Sequence, residues 1–391
     1  MMKKILAAAI VSAFAAPAFA ATANVDIYGV IGLSVDYVDG GSGTAGDSFT
    51  SQDSESRARV SSNTSYIGFK GSEDLGGGLS AVWQIEQAVS IDQGAGTAAG
   101  GTWAGGRNSF GGLSSKSLGS LTFGNQDTPY KTSTGPLDVF GGGQQLADYR
   151  SLFGEGTNGS VRATNSVLYT SPSLGGLTLR ALGAAQQENG STRDPRLYSL
   201  SGVYSNGPLY AALAYETNRY ATTAGATVGS IAGETFTATD IFGASVATET
   251  EQKKWRAGVG YTFGNTKLGL AYERSSADFD DLSGVNASES TRRNVWYVGA
   301  AHKLGNTTLK AAYTKAGDLK GEPDTGAKQM SVGASYALSK RTELFGLYTQ
   351  VKNDSDAAYS LGGGGTGVHA VAAADVGQDP RGISLGMIHK F

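Results

Sequence analysis

Hydrophobic and polar residues alternate one by one along the chain from Asn24 onward. The hydrophobic parity holds Val25, Ile27, Ile31, Leu33, Val35 and Tyr37, and the polar parity holds Asp26, Tyr28, Ser34 and Asp36. Because successive side chains of a strand point to opposite faces, this pattern predicts a strand with one apolar and one polar face. The alternation outlasts the roughly 5 to 6 residues of an ordinary strand and is typical of a tilted membrane-spanning strand.

The same alternation recurs to the C-terminus, interrupted by connections of two different lengths. Short turns are predicted at residues 71–78, 116–119, 174–176, 206–208, 264–265, 305–306 and 339–341. Long segments rich in Gly, Ser, Thr and Asp are predicted at residues 39–56, 92–106, 127–162, 188–195, 221–250, 278–290, 318–326 and 354–379. Long loops on one side and short turns on the other are typical of transmembrane barrels. The count predicts an all-β fold, a 16-stranded antiparallel transmembrane β-barrel, wide enough for an aqueous channel.

The two ends of the chain fit an exported barrel. Lys3 and Lys4, a short apolar stretch and Ala18-Phe19-Ala20 predict a signal peptide over residues 1–20, which leaves residues 21–391 as the barrel domain. After Ala20 no apolar run reaches the about 20 residues of a spanning helix. The last predicted strand ends on Phe391, where an aromatic ring would lie at the membrane interface.

Composition agrees with this fold and excludes several chemistries. The chain has 58 Gly, 18 Tyr, 14 Phe and only 8 Pro, which suits many twisted strands joined by turns. Its formal net charge is −3, so nothing favours nucleic-acid binding. Cysteine is absent, which excludes disulfides and thiolate metal sites. The histidines lack metal-ligand spacing, and we expect no cofactor and no metal.

Several segments resemble the general porins of Gram-negative outer membranes, especially those of betaproteobacteria. The matching stretches are Asp26-Ile27-Tyr28-Gly29, residues 68–78 (GFKGSEDLGGG), residues 106–113 (GRNSFGGL), residues 119–126 (GSLTFGNQ) and the ending His389-Lys390-Phe391. The resemblance implies a homotrimer of 16-stranded barrels, seated in the lipid bilayer and lipopolysaccharide of the outer membrane. It also implies that the third loop, here the segment 127–162, folds inward and narrows a pore for small hydrophilic solutes and ions.

The resemblance also implies which residues lie at the pore constriction. Arg107 matches a wall arginine by motif, and Arg162 matches another by its spacing before Tyr169. On the loop side, residues 136–142 (PLDVFGG) resemble the constriction tip, which makes Asp138 the favoured carboxylate and Asp127 a second candidate from the same loop. Facing opposite charges would create a transverse field that selects solutes by charge and polarity.

Two departures from the family pattern affect the expected ion preference. Tyr66 stands where an inward arginine would precede residues 68–71, and Val30 stands where a lysine often occurs. Arg180 falls on the polar parity of its strand, as do Arg256 and Lys310, so the lumen can still be basic. Acidic residues in the external loops oppose this, and the sequence leaves the sign of the selectivity open.

Alternative functions remain for such a barrel. A substrate-selective channel would share every feature above. An outer-membrane barrel enzyme would need a Ser/His or carboxylate cluster, which the spacing of His302, His369 and His389 does not favour. An adhesin or receptor with a plugged lumen would need a folded domain before the barrel, yet strand alternation already begins at Asn24.

Overall fold

A computed structural model describes residues 24–41, 56–92, 106–141, 144–153, 162–185, 196–222, 227–231, 234–237, 241–242, 245–282, 288–362 and 376–391. The first strands are β1 (Asn24–Asp39), β2 (Arg57–Ser62), β3 (Tyr66–Gly76), β4 (Leu79–Ala88), β5 (Ser109–Ser115), β6 (Gly119–Asp127), β7 (Arg162–Thr170), β8 (Leu177–Ala185), β9 (Arg196–Asn206) and β10 (Leu209–Thr222). A hairpin of β11 (Thr227–Ile231) and β12 (Glu234–Thr237) follows. The remaining strands are β13 (Thr248–Phe263), β14 (Thr266–Asp281), β15 (Glu289–Leu304), β16 (Thr307–Ala316), β17 (Ala327–Ala337), β18 (Thr342–Asn353) and β19 (Arg381–Lys390). The predicted signal peptide lies outside the described residues.

The sheet closes because the first strand pairs with the last. β1 pairs with β19 from Val30↔Lys390 to Asp39↔Arg381, and its other edge pairs with β2 and then β3. β2 and β3 therefore occupy one position in the wall, interrupted at residues 63–65, where Thr64 has φ 51°. The 17-stranded sheet thus forms a closed antiparallel barrel with 16 wall positions, which confirms the predicted fold class and strand number.

The short connections lie where the alternation predicted them. Two-residue turns at 264–265 and 305–306 use glycine at positive φ, 56° for Gly264 and 61° for Gly305, because the turns that suit twisted hairpins need this left-handed conformation. The first predicted turn was too long. The ladder between β3 and β4 continues to Gly76↔Leu79, so only Gly77 and Gly78 connect the two strands.

The two faces of the wall differ as the alternation requires. In β1, Val25, Ile27 and Val35 are 57%, 62% and 59% exposed, whereas Ser34 and Asp36 between them are buried. The same contrast continues around the barrel, with Trp296, Met330 and Leu385 among the exposed apolar side chains. Exposure of so much apolar surface is unfavourable in water and is typical of the lipid-facing band of a membrane barrel. Within the described residues, no helix is long or apolar enough to cross a membrane.

The connection between β6 and β7, which we term the third connection, packs against the buried face of the wall. It contains a short helix, Pro129–Ser133, whose N-cap Thr128 accepts from the Lys131 amide, and the 3-10 turns Gly135–Leu137, Gln145–Ala147 and Tyr149–Ser151. Leu137, Phe140 and Tyr149 join the main cluster of buried hydrophobic side chains. Gln144 Nε2 donates to Ser335 Oγ of β17 at 2.9 Å.

Candidate pore lining

A first charged cluster surrounds Arg107, which lies just before β5 and not within it. Arg107 Nε donates to Glu86 Oε2 at 3.2 Å, and Tyr28 Oη donates to the other oxygen of Glu86 at 2.8 Å. The guanidinium of Arg107 lies 4.0 Å from the ring centroid of Tyr66, close enough for a cation–π contact. Tyr66 therefore faces the same side as Arg107, and Glu86 balances the arginine's charge locally.

A second cluster is centred on Asp127. Its Oδ1 lies 3.1 Å from Arg162 Nε and 2.6 Å from Lys131 Nζ, and its Oδ2 accepts from Asn108 Nδ2 at 2.9 Å. The assignment of Asp127 to the loop was wrong: it is the last residue of β6 and pairs with Arg162, the first residue of β7. The ladder continues past the irregularity between Gly124 and Gln126 and so brings Arg162 to this carboxylate. Lys131 reaches it from the short helix of the third connection.

Arg180 lies in the same region, but no carboxylate of the described residues contacts it directly. It occupies β8 directly opposite Thr170 of β7. Within the part of the chain that the structure describes, its only hydrogen bond runs from Nη1 to Thr132 Oγ1, at 2.7 Å. Among the described residues, Arg180 therefore has an electrostatic interaction with Asp127 but no direct ion pair, unlike Arg107 and Arg162.

Asp138 does not contact Arg107 or Arg162 among the described residues, and the facing of their charges across the barrel stays a prediction. It follows the turn Gly135–Leu137, accepts from the Phe140 amide at 2.9 Å and interacts electrostatically with Asp148, Arg150 and Lys310. Burial, followed by the nearby charge of Asp148, raises the pKa of Asp138 to about 7. The sequence motif placed Asp138 in the connection between β6 and β7, where it lies. Neighbouring residues in the sequence could not show which distant residues it would interact with.

A buried ion pair on the opposite wall holds the third connection. Arg256 of β13 and Glu273 of β14 lie 2.5 Å apart, Nη2 to Oε2, with both side chains fully buried. Tyr130 Oη donates to the same Oε2 at 2.5 Å. The sequence assigns Arg256 to the polar parity of its strand, and the structure puts it on the buried face together with Lys310.

Three contributors were missed from the sequence: Glu86, Lys131 and Glu273. Glu86 is the charged residue in the otherwise uncharged strand β4, and Glu273 lies on the polar parity of β14. A charged residue within an alternating strand was therefore the signal that could have identified both. Lys131 lies four residues after Asp127, a spacing that allows an ion pair on a helix. Among the described residues, no group of three or more His, Asp or Glu is arranged to hold a metal ion.

A closed barrel with an apolar outer face and ionised groups on its inner face is a transmembrane β-barrel. Residues 7–356 match the Gram-negative porin family. The chain belongs to that family, and the outer membrane is therefore its location.

Individual relatives agree. The chain is 32% identical over 233 residues to an outer membrane porin protein of Bordetella pertussis, covering 55% of this chain and 59% of the relative. It is 27% identical over 399 residues to outer membrane porin protein 32 of Delftia acidovorans, covering 100% of both. The anion-selective porin from Comamonas acidovorans has a similar fold, with a TM-score of 0.72 at 24% identity, over 94% of this chain and 100% of that one.

The extent of these matches differs. The chain spans only about half of the length of several curated relatives, 59% for the Bordetella protein and 51% for the major outer membrane protein P.IA of Neisseria meningitidis.

Proposed function

We propose that the protein is a passive outer-membrane channel for small hydrophilic solutes and ions. The observation that carries this proposal is the contrast between the two faces of the barrel. Ionised side chains such as Arg107, Arg162 and Arg180 lie on the inner face, and the outer face is an exposed apolar band. A lipid-facing arginine at mid-depth would cost about 2 to 4 kcal/mol, whereas a water-filled lumen solvates it.

We further propose that the third connection folds into this lumen and narrows it. Its contacts support this placement: the Val139 amide donates to Tyr297 Oη of β15 at 3.1 Å, and Tyr210 Oη of β10 donates to the Ser133 carbonyl at 2.6 Å. Tyr210 and Tyr297 both belong to the buried face of their strands. The third connection therefore occupies the side of the lumen next to these strands. The open passage runs along β3 to β8, where the two charged clusters lie.

The constriction residues follow from that arrangement. We assign Arg107, Arg162, Arg180, Tyr66 and Asp127 to the wall of the passage and Asp138 to the third connection. Glu86 balances Arg107, and Asp127 balances only one of Lys131 and Arg162, so the passage keeps an excess of positive charge that includes Arg180. Tyr66 contributes no charge. The excess of positive charge favours anions, which is also the preference of the anion-selective porin from Comamonas acidovorans.

The biological form that we propose is a homotrimer in the outer membrane. The resemblance to general porins supports it, as does the outward aromatic surface, which includes the tilted pair Tyr272–Trp296 with ring centroids 4.4 Å apart. Contacts with lipopolysaccharide would lie on this outer surface. Residues 1–20 would be removed on export as a signal peptide, and residues 21–391 would form the barrel. The porin relatives point to a channel and not to an enzyme.

A planar bilayer with purified protein tests the channel function. We expect stepwise openings in groups of three and a reversal potential on the anion side under a KCl gradient. Replacing Arg107 and Arg162 together by Ala should move the reversal potential toward cations. The control is Arg341→Gln, an exposed arginine in the short connection before β18. Absence of any conductance from correctly folded protein would refute the proposal.

A further inference from the structure

A cavity of about 300 Å³ lies between the wall strands β4 to β8 and the short helix of the third connection. Val82, Phe110 and Leu168 form an apolar side, and Thr132, Thr170 and Arg180 provide polar groups. The cavity extends along the wall from Thr170, which pairs with Ser120 near the short-turn end of these strands, to Asp127 at the other end of β6. Nine of the twelve lining residues are polar or charged, so the hydrocarbon part of a ligand would pack against these three apolar side chains.

The guanidinium of Arg180 interacts electrostatically with Asp127, but among the described residues it forms no direct ion pair. Its single hydrogen bond within the described residues goes to Thr132, and its Nε is buried with no partner there. Asp127 also lines the cavity, but it already contacts Arg162 and Lys131. A partly desolvated guanidinium without a carboxylate favours an anionic ligand, and its planar fork matches a carboxylate.

The apolar side of the cavity restricts the ligand further. Phe110 offers a ring for edge-to-face or offset stacking, and Val82 and Leu168 offer aliphatic contacts. An inorganic anion would use none of these groups, and a fully apolar molecule would leave Arg180 unpaired. A single aromatic ring bearing one carboxylate uses both sides, and a volume of about 300 Å³ is ample for it.

We propose that this cavity is a binding subsite for small aromatic monocarboxylates beside the constriction. The carboxylate pairs with Arg180 and accepts from the hydroxyl of Thr132 or Thr170, while the ring lies against Phe110 and Leu168. The subsite rests on the proposed channel function, since solutes reach it through the lumen. The channel therefore binds aromatic monocarboxylates in preference to aliphatic acids of the same charge.

Benzoate is the probe, used first on folded protein in detergent, where binding is measured by saturation-transfer NMR without any need for transport. We expect saturable binding of benzoate and weaker binding of acetate and of benzyl alcohol. Arg180→Gln should weaken benzoate binding about tenfold or more, the effect of losing a charge-assisted contact. Phe110→Ala should remove the preference for benzoate over acetate. Arg341→Gln is the matched control and should bind as the wild type does.

The same variants then distinguish failure of the subsite from failure of the channel. In bilayers, benzoate should shorten open times in the wild type and in Arg341→Gln but not in Arg180→Gln. Non-saturable benzoate binding, equal binding by Arg180→Gln or no preference over acetate would overturn the subsite, whatever the conductance. Arg180-dependent benzoate binding by a barrel that never conducts would retain the subsite and refute the channel. Heat-modifiable migration on gels confirms that each variant is folded.

Discussion

Arg256 and Glu273 form an ion pair between adjacent strands, with both side chains fully buried and 2.5 Å between Nη2 and Oε2. The two residues face each other in the β13–β14 register. The Arg256 guanidinium also lies 4.3 Å from the ring centroid of Tyr130 and 4.9 Å from that of Phe153. Tyr130 lies near the start of the third connection and Phe153 near its end, so one ion pair holds both parts of the segment to the wall.

Removing one partner of this pair should loosen the third connection. Glu273→Gln leaves the Arg256 charge buried without its carboxylate, and breaking a buried pair in this way typically costs about 3 to 5 kcal/mol. We expect a lower thermal midpoint and faster tryptic cleavage at Lys131 and Arg150. Circular dichroism melts and timed digestion of detergent-solubilised protein measure both effects.

An exposed pair provides the control for that experiment. Lys253 and Glu251 lie 3.1 Å apart with both side chains 39% exposed, and such pairs contribute only about 0 to 1 kcal/mol. Glu251→Gln should therefore melt close to the wild type. Equal melting and digestion of Glu273→Gln and Glu251→Gln would contradict the role given to the buried pair.

A second prediction concerns the hollow that receives Leu137. Gly258, Gly260 and Gly269 leave space on the wall, and Leu137 is wholly buried against it. A Cβ added at Gly269 would lie 2.8 Å from the Leu137 carbonyl oxygen, a backbone atom that cannot turn aside. Gly269→Ala should therefore push the turn Gly135–Leu137 into the lumen at a cost of about 1 to 3 kcal/mol.

Single-channel conductance measures that displacement. We expect Gly269→Ala to conduct less than the wild type, because the turn then occupies more of the passage. Gly183→Ala is the matched control, since a Cβ at Gly183 would meet only Tyr198 atoms at 3.7 Å, an ordinary contact on the outer face. An unchanged conductance in Gly269→Ala would show that this turn does not bound the pore.

These contacts also show how far the sequence could predict the structure. Period-two alternation predicted the strands and their faces because neighbouring side chains must point to opposite sides of a sheet. It placed Arg256 on the inner face for the same reason. It could not pair Tyr130 with Glu273, which lie 143 residues apart, because alternation fixes the face of a residue and not its partner in the closed barrel.

The candidate site was predictable only to the level of single residues. The motif identified Arg107, Arg162 and Asp138 as charged positions, and the first two lie in clusters with Glu86 and Asp127. Asp138 belongs to a different group because Leu137, the residue before it, packs against glycines of β13 and β14. That packing depends on the tertiary contacts of Leu137 and Tyr130, for which the local sequence carries no signal.

A third prediction concerns the charge excess around Asp127. Asp127→Asn removes the carboxylate shared by Arg162 and Lys131 and leaves two adjacent cations. The reversal potential under a KCl gradient should shift further toward anions, and the shift should shrink at high ionic strength as charges are screened. Asp324→Asn, an exposed position with φ 59° that asparagine tolerates, is the control with the same charge change. A cation-directed shift in Asp127→Asn would mean that Asp127 lies outside the conducting path.

The last prediction follows from the pKa of Asp138, which burial and the charge of Asp148 raise from 3.8 to about 7. Above pH 7 the group carries a negative charge, and below pH 7 it is neutral. Lowering the pH from 8 to 6 should therefore make the channel more anion-selective, with a midpoint near pH 7. The reversal potential, recorded at closely spaced pH values with equal pH on both sides, measures this titration.

Asp138→Asn separates this group from all others that titrate. The variant should show the low-pH selectivity at every pH and should lose the midpoint near pH 7. The stability of the protein gives an independent test. Because the pKa of Asp138 is raised in the folded state, ionising this group destabilises the fold. This destabilisation is absent below about pH 4, grows as the pH rises and is complete above about pH 7. Asp138→Asn should therefore raise the melting temperature at pH 8 but not at pH 4. A midpoint that persists in Asp138→Asn would assign the titration to another group.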